Sequence, residues 1–224
     1  MFSTRLNSLL LVFVAGLAML IFAVRGRTQQ AIPAEHFLDP FNRVVQQRFH
    51  DVIGFGMARM GSEPWFKPET PEEKEAVKGL ARGGYQVGLF LAGRNMLQDV
   101  PLPYRVSYAK TGSGGQHIMS GPVIVADKRL KDLPDADTMW EPTREALRQF
   151  ARGRERWAFQ ARGWSVEARP VRASDDKCLR CHAYRELIFE ERNGTVSSRN
   201  GEARYDLKIG DPIGAVLYVY RRTN

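Results

Sequence analysis

The chain predicts an α+β fold, with one antiparallel sheet flanked by helices and a single apolar helix ahead of it. Three observations carry this. Apolar residues recur at three- and four-residue steps in some stretches, as on the buried stripe of a helix. Other stretches alternate bulky and polar residues or run apolar without a break, as strands do. The two kinds of segment also come in blocks, helices then strands then a helix then strands, rather than in the strict alternation of a βαβ protein. The strands suffice for one sheet with its helices on one face. No internal repeat or low-complexity segment interrupts the 224 residues.

At the N-terminus, Leu9 to Val24 is an unbroken run of apolar and small residues, with Arg5 before it and Arg25 and Arg27 after it. As a helix it spans roughly 24 Å, close to a hydrocarbon core once Leu6 to Ser8 are added. The run lacks a small-x-small cleavage site after Val24, so residues 1–27 are expected to be a retained single-pass transmembrane anchor rather than a cleaved signal. Residues 28–34 form a polar linker, and 35–224 one folded domain; roughly 195 residues can bury one sizeable core.

Within that domain, Phe37, Phe41, Val44, Val45, Phe49, Val52 and Ile53 mark an amphipathic helix from Glu35 to about Arg59, kinked at Pro40. Thr70 before Pro71-Glu72-Glu73 reads as an N-cap opening a second helix to about Ala81, which Gly83-Gly84 ends. Tyr85 to Ala92, Tyr104 to Ala109 and Val123 to Ala126 are strand-like, with a glycine-rich turn at Thr111 to Gly115 between the last two. Pro134 to Asp137 leads into a third helix carrying Trp140, Leu147, Phe150 and Ala151 on one face. Trp164 to Pro170 is a strand, polar turns are expected at Asn193-Gly194 and Asn200-Gly201, and Asp211 to Tyr220 is a long buried strand.

Between those last two strands lies Cys178-Leu179-Arg180-Cys181-His182, which holds both cysteines of the chain. Cys-x-x-Cys-His is the attachment signature of c-type haem: two thiols reach the two vinyl groups of one porphyrin, and the histidine lies under the iron as proximal ligand. A thioredoxin-like dithiol would want a strand before it and a helix opening at the first Cys, and does not require the His. A zinc site would need a fourth ligand from His36, His50 or His117. An exported domain and CxxCH support each other, because c-type maturation occurs outside the bacterial cytoplasmic membrane. The expectation is one haem c held by Cys178, Cys181 and His182, with His182 on the iron. The domain would sit on the periplasmic or lumenal side of the bacterial inner membrane.

From about Asp135 onward the order of features resembles a known family. The matching pieces are Asp137-Thr-Met-Trp140-Glu141 heading a helix, Arg169-Pro170 through Lys177 running into the CxxCH, and the closing Gly210-Asp211-Pro212-Ile213-Gly214-Ala215. These are similar to the exported c-type-haem domains with a PAS-like fold, found as a cyanobacterial lumenal haem protein and as periplasmic haem sensor domains. The resemblance covers under half the chain. It implies an antiparallel sheet with haem between it and flanking helices. It also implies a variable sixth ligand, a cysteine in one lumenal member type, which this chain excludes by having no third cysteine.

The sixth ligand must then be a neutral His, a Met, water or nothing. The distal candidates, in order, are His50, Met60, His117 and Met57. His–His ligation gives a low potential, His–Met a higher one, and an open iron suits gas sensing.

The chain has 33 Lys+Arg against 25 Asp+Glu, a net charge of +8. Such a surface favours an acidic redox partner protein or anionic lipid. Nucleic acid is excluded as a partner by export and by the lack of a recognition helix or aromatic RNA motif. There is no Ser-His-Asp order and no dinucleotide fingerprint, and Gly112 to Gly115 lacks the Lys-Ser/Thr of a P-loop. Electron transfer, as a free cytochrome or a subunit of a respiratory or photosynthetic complex, is therefore the first reading. A haem-based redox or gas sensor is the second, and needs a partner because no output module is read in the chain. A haem enzyme ranks third, since no distal acid–base pair stands out.

Overall fold

The computed structural model describes residues 36–50, 65–98, 119–181, 184–193, 195–204 and 206–223. The anchor, the linker, the expected strand at 104–109, the turn at 111–115, and Met57, Met60, His117 and His182 lie outside the described residues. Among the described residues no helix is long and apolar enough to cross a membrane. One compact unit spans Glu35–Asn224.

That unit is α+β. Helices α1 (Asp39–Phe49) and α2 (Pro71–Arg82) are followed by strands β1 (Tyr85–Gly93) and β2 (Met119–Ile124). Helix α3 (Ala136–Ala151) precedes β3 (Trp157–Ala161) and β4 (Trp164–Arg172), and a short helix α4 (Asp176–Cys181) follows. The chain then makes β5 (Tyr184–Arg192), β6 (Thr195–Arg204) and β7 (Pro212–Arg222). Five strands form one sheet in the order β2-β1-β7-β4-β3, every neighbouring pair antiparallel, while β5 and β6 pair separately as a hairpin.

β7 is the central strand, and its residues from Ile213 to Tyr220 are all buried. A strand covered on both faces reads as a continuous apolar run, which is what Ile213-Gly-Ala-Val-Leu-Tyr-Val-Tyr220 is. Helices therefore lie on both faces, not on one as the sequence suggests. Ala215, Leu217 and Val219 pack with Met139, Trp140, Leu147 and Phe150 of α3 on one face. Val216, Tyr218 and Tyr220 pack with Phe41, Val44 and Val45 of α1 and Leu80 of α2 on the other. A buried run carries no alternation, so it cannot say how many faces are covered.

Local signals explain the helix starts. Thr70 caps α2 in a capping box: its hydroxyl accepts from Glu73 N, and Glu73 accepts from Thr70 N. Asp135 caps α3 by accepting from Thr138 N at 2.8 Å. Pro40 starts α1 instead of kinking it, because it stands in the first turn where its missing N–H costs nothing. The 3₁₀ turn His36–Leu38 precedes it, and α1 ends at Phe49 with His50 as its C-cap.

Two further expectations change, and β3, β5 and β6 are strands that the sequence reading does not name. β2 is shifted toward the N-terminus of the expected Val123–Ala126. β3 was hidden by its short alternation. The Asn193 turn does join β5 to β6, but Asn200-Gly201 lies inside β6, with Asn200 paired to Leu187 across an irregular register.

The Gly210-Asp211-Pro-Ile-Gly214-Ala215 segment has a physical reason at each end. Gly210 has φ +93, a conformation that penalises a side chain, in the turn entering β7. At Gly214 a Cβ would sit 2.6 Å from the carbonyl oxygen of Ala92, so the β1–β7 contact has no room for one.

Candidate functional site

The Cys-x-x-Cys run sits where β4 leaves the sheet. Ala173 is tied to the turn before β7 by two hydrogen bonds: its N–H donates to Asp211 O at 3.0 Å, and its carbonyl accepts from Gly210 N at 2.8 Å. Arg172 adds a third, donating to Gly210 O at 2.9 Å. The exit of β4 is thus pinned at the residue before Ser174.

Asp175 then starts α4. Its Oδ1 accepts from Lys177 N at 2.8 Å and Cys178 N at 3.2 Å. The Cys178 N–H is the main reason its carboxyl stays below the usual aspartate range. Positions 178 and 181 are one helical turn apart and fall on one side of α4. Cys178 is half-buried, and with Leu179 it packs against the core that contains Ala173, Leu207 and Ile213. Ile209, on the turn bound to Ala173, is 60% exposed.

A strand precedes Cys178 and a helix contains it, which is the surrounding a redox dithiol uses. The helix, however, opens at Asp176, two residues before the first Cys. It lasts six residues and leads into a hairpin beside a wholly antiparallel sheet. That is not the βαβ setting of a thioredoxin-like motif. Among the described residues no group of three or more His, Cys, Asp and Glu could hold a metal ion, which leaves the zinc reading without support there.

Of the distal candidates, His50 is the one among the described residues, and the fold brings it to the motif. Its Nδ1 lies 3.0 Å from Ser174 Oγ, across 124 residues of chain. Ser174 Oγ is in turn 3.6 Å from Cys178 Sγ. One hydroxyl therefore bridges the first-ranked histidine and the first cysteine.

The position of His50 follows from how α1 is held. A polar stripe runs down the sheet-facing side of this helix. Asp39 ion-pairs with Arg169 at 2.7 Å and Arg156 at 3.0 Å. Asn42 Oδ1 accepts from the buried Tyr218 hydroxyl at 2.8 Å. Gln46 donates to Pro170 O at 3.1 Å. His50 is the next step in the series Asp39, Asn42, Gln46, His50, whose spacing of three and then four residues keeps one face. Burial works against the charge on Arg169, but Glu167, 2.6 Å from its Nε, and Asp39 outweigh it and raise its pKa.

Arg48 pins the same helix from its other side. Its guanidinium forks onto Glu73, Nε to Oε1 at 2.5 Å and Nη2 to Oε2 at 2.6 Å. It also donates to Lys67 O at 2.7 Å and lies 4.0 Å over the Phe66 ring. Burial disfavours the Glu73 carboxylate. The hydrogen bonds from Arg48 and from the N–H groups of Glu69 and Thr70 more than offset this and bring its pKa down to about 2.

Sequence reasoning missed Ser174 and the polar stripe. The stripe was visible in principle: Asp39, Asn42, Gln46 and His50 recur at helical spacing inside a segment read only for its apolar residues. Ser174 carried no signal of its own, since one hydroxyl in a polar loop is unremarkable until a fold places it. The donor set that is described fits a thioether-linked porphyrin: a partly accessible thiol in a short helix, an exposed apolar side chain on the adjoining turn, and an imidazole alongside. No protein-family model, curated protein or solved structure gives a match to this chain.

Proposed function

We propose that this is a membrane-anchored monohaem c-type cytochrome with a PAS-like domain on the periplasmic or lumenal side, acting in electron transfer. Cys178 and Cys181 would hold the haem as thioethers, His182 would be its proximal ligand, and His50 its distal one. The observation that carries the reading is the placement of His50 beside Cys178 through Ser174.

Haem supplies a one-electron couple whose potential the axial ligands set. The chain's own residues do the rest. Asp175 and the Ala173–Gly210 pairing hold the attachment helix. Arg48 and the Asp39–Gln46 stripe hold the helix that ends in His50. Two nitrogen ligands favour a six-coordinate carrier of low potential over an open iron for gas binding or peroxide chemistry. The net charge of +8 suits an acidic redox partner or a larger membrane complex, and residues 1–27 supply the membrane tether.

Co-expression of the full chain with a c-type maturation system tests this. A pyridine-haemochrome spectrum with both vinyl groups saturated is expected, together with no change on adding CO to the reduced protein. Absence of covalent haem overturns the cofactor. Immediate CO binding overturns the closed iron and with it the simple carrier, in favour of a sensor.

A further inference from the structure

The chain enters the folded unit at one end of the five-stranded sheet. Phe37, in the turn before α1, stacks on Tyr85 at 3.6 Å and meets Tyr220 edge-on at 5.1 Å. Tyr85 opens β1 opposite Arg222 at the close of β7. The chain leaving β2 runs out at the same end: Val125 N donates to Val87 O, and Asp127 hydrogen-bonds with the Gln86 side chain. At the other end of β7, Gly210 and Asp211 hold Ala173 and the exit toward the Cys-x-x-Cys helix. The 11 residues of β7 separate this motif end from the entry end by roughly 30 Å.

The entry end carries exposed positive charge that the protein does not neutralise. Arg82, Arg129 and Arg162 are matched by Glu75, Asp127 and Asp135. Lys128, Lys131, Arg221 and Arg222 are exposed and have no carboxylate partner among the described residues. Arg221 donates to the neutral Gln86 at 2.8 Å and lies over the Trp164 ring, and Arg222 lies over Tyr85. Trp164 Nε1 also donates to Asp132 O at 2.9 Å, which brings the turn carrying Lys128 and Lys131 alongside Arg221. Asp132 is the one carboxylate left there to set against four cations.

An aromatic side chain lies in the same patch. Trp65 bridges to Ile124 beside β2, is 39% exposed, and has Lys128 Nζ 5.4 Å over its ring. An exposed indole among unmatched cations suits a bilayer surface, where the cations meet phosphate and the amphipathic ring sits between water and hydrocarbon.

We propose that this end of the domain docks on anionic phospholipid headgroups, with Lys128, Lys131, Arg221 and Arg222 on phosphate and Trp65 at the interfacial level. The inference rests on residues 1–27 being the membrane anchor. Residues 28–35 then reach at most about 28 Å, a tether short enough to hold the entry end near the headgroups. A redox partner seated on this patch would lie the length of β7 from the attachment helix, so the charge serves lipid better than electron transfer. Docking leaves the motif end free for that partner. Each Lys or Arg near an anionic surface strengthens association about fivefold, an effect that salt screens.

The test uses the full-length protein in nanodiscs of phosphatidylcholine alone or of phosphatidylcholine mixed with phosphatidylglycerol. Lysine acylation by an uncharged reagent, read by mass spectrometry, reports which amines are covered. Lys128 and Lys131 are expected to react about fivefold more slowly in the mixed discs, and high salt should abolish the difference. Lys177 and Lys208, at the motif end, should react alike in both. In Arg221→Gln/Arg222→Gln the protection of Lys128 and Lys131 should shrink. Arg222→Gln alone, which spares the Trp164 contact, should show a smaller loss of the same sign. Equal reactivity in the two kinds of disc overturns lipid docking and leaves the patch to an acidic protein. Slowing of Lys177 and Lys208 instead, or protection unchanged in both variants, overturns the assigned face. These results leave the anchor standing while the protein resists an alkaline carbonate wash. Release by that wash overturns the anchor reading, and the inference with it.

Discussion

The two faces of the central sheet are held by different chemistry. Under α3 the contacts with the sheet are hydrocarbon and aromatic, Met139, Trp140, Leu147 and Phe150 against Phe90, Val166, Ala168, Leu217 and Val219, while the buried Arg144 of that helix donates to Leu97 O and lies 3.5 Å from the exposed Glu141 carboxylate. Under α1 and α2 an equally apolar core is crossed by buried charges, Arg48 with Glu73 and Arg169 with Glu167. Apolar packing is non-directional and tolerates small slides of a helix. A forked ion pair does not, because its strength depends on geometry and a half-made pair leaves a buried charge. The face that carries the Cys-x-x-Cys helix is also the face where α1 is fixed in register, and His50 is the last residue of that register.

Removing a pin should therefore do more than removing a neighbour. Arg48→Met leaves the Glu73 carboxylate buried beside a thioether and is expected to cost about 3–5 kcal/mol in chemical denaturation. The pH dependence sharpens the point. With a folded pKa of about 2 against an ordinary 4.5, Glu73 contributes stability that is full above pH 4.5 and is lost as pH falls toward 2. In Arg48→Met the carboxyl is desolvated without its partner, its pKa rises, and that acid limb should disappear or reverse. A stability profile between pH 2 and 5 identical to wild type would show that the pair does not set it. On the proposed ligation by His50, haem bound by the variant should also show an altered distal-ligand signature.

Leu147→Ala tests the other face. Leu147 is 1% exposed in the α3 core, and its truncation is expected to cost about 3 kcal/mol from lost transfer energy and an unfilled cavity. The oxidised absorption spectrum and midpoint potential should stay those of the wild type. A shift in either would mean that the sheet transmits strain between its faces, and that the division of labour is wrong.

How much of this the sequence disclosed follows the same division. Apolar periodicity, the Thr70-Pro71 cap and the unbroken β7 run report burial, and burial is what locates α1 to α3 and the central strand. The Cys-x-x-Cys-His signature on which the proposal rests stands out in the sequence because Cys178 and Cys181 are local and chemically rare. The polar stripe and Ser174 were not, since their partners are distant in the chain: Asp39 meets Arg169, and His50 meets Ser174, only once α1 lies on β4. The second covered face was hidden too, because β7 reads the same whichever helices cover it.

Gly214 lies in β7, the strand that both faces share. Gly214→Ala would place a methyl 2.6 Å from the Ala92 carbonyl oxygen, backbone that cannot swing aside. An overpacking cost of about 1–3 kcal/mol is expected, read as a lowered denaturation midpoint with an unchanged slope. A neutral outcome would mean that the β1–β7 pairing opens more readily than its register implies.

The smallest expected effect isolates one rung of the stripe. The Tyr218 hydroxyl is buried, and burial pushes its pKa far above the ordinary phenol value, so it acts at any working pH as a neutral donor to Asn42. Tyr218→Phe keeps the ring against Phe41 and deletes only that bond, leaving Asn42 Oδ1 with its longer contact from Gln46 Nε2 at 3.5 Å. A loss of about 1 kcal/mol is expected. Asp39, Gln46 and Arg48 still hold α1, so the distal-ligand signature should not move. If it moves as far as in Arg48→Met, His50 is positioned by the sum of weak contacts along the stripe, and the ion pair is not the dominant pin.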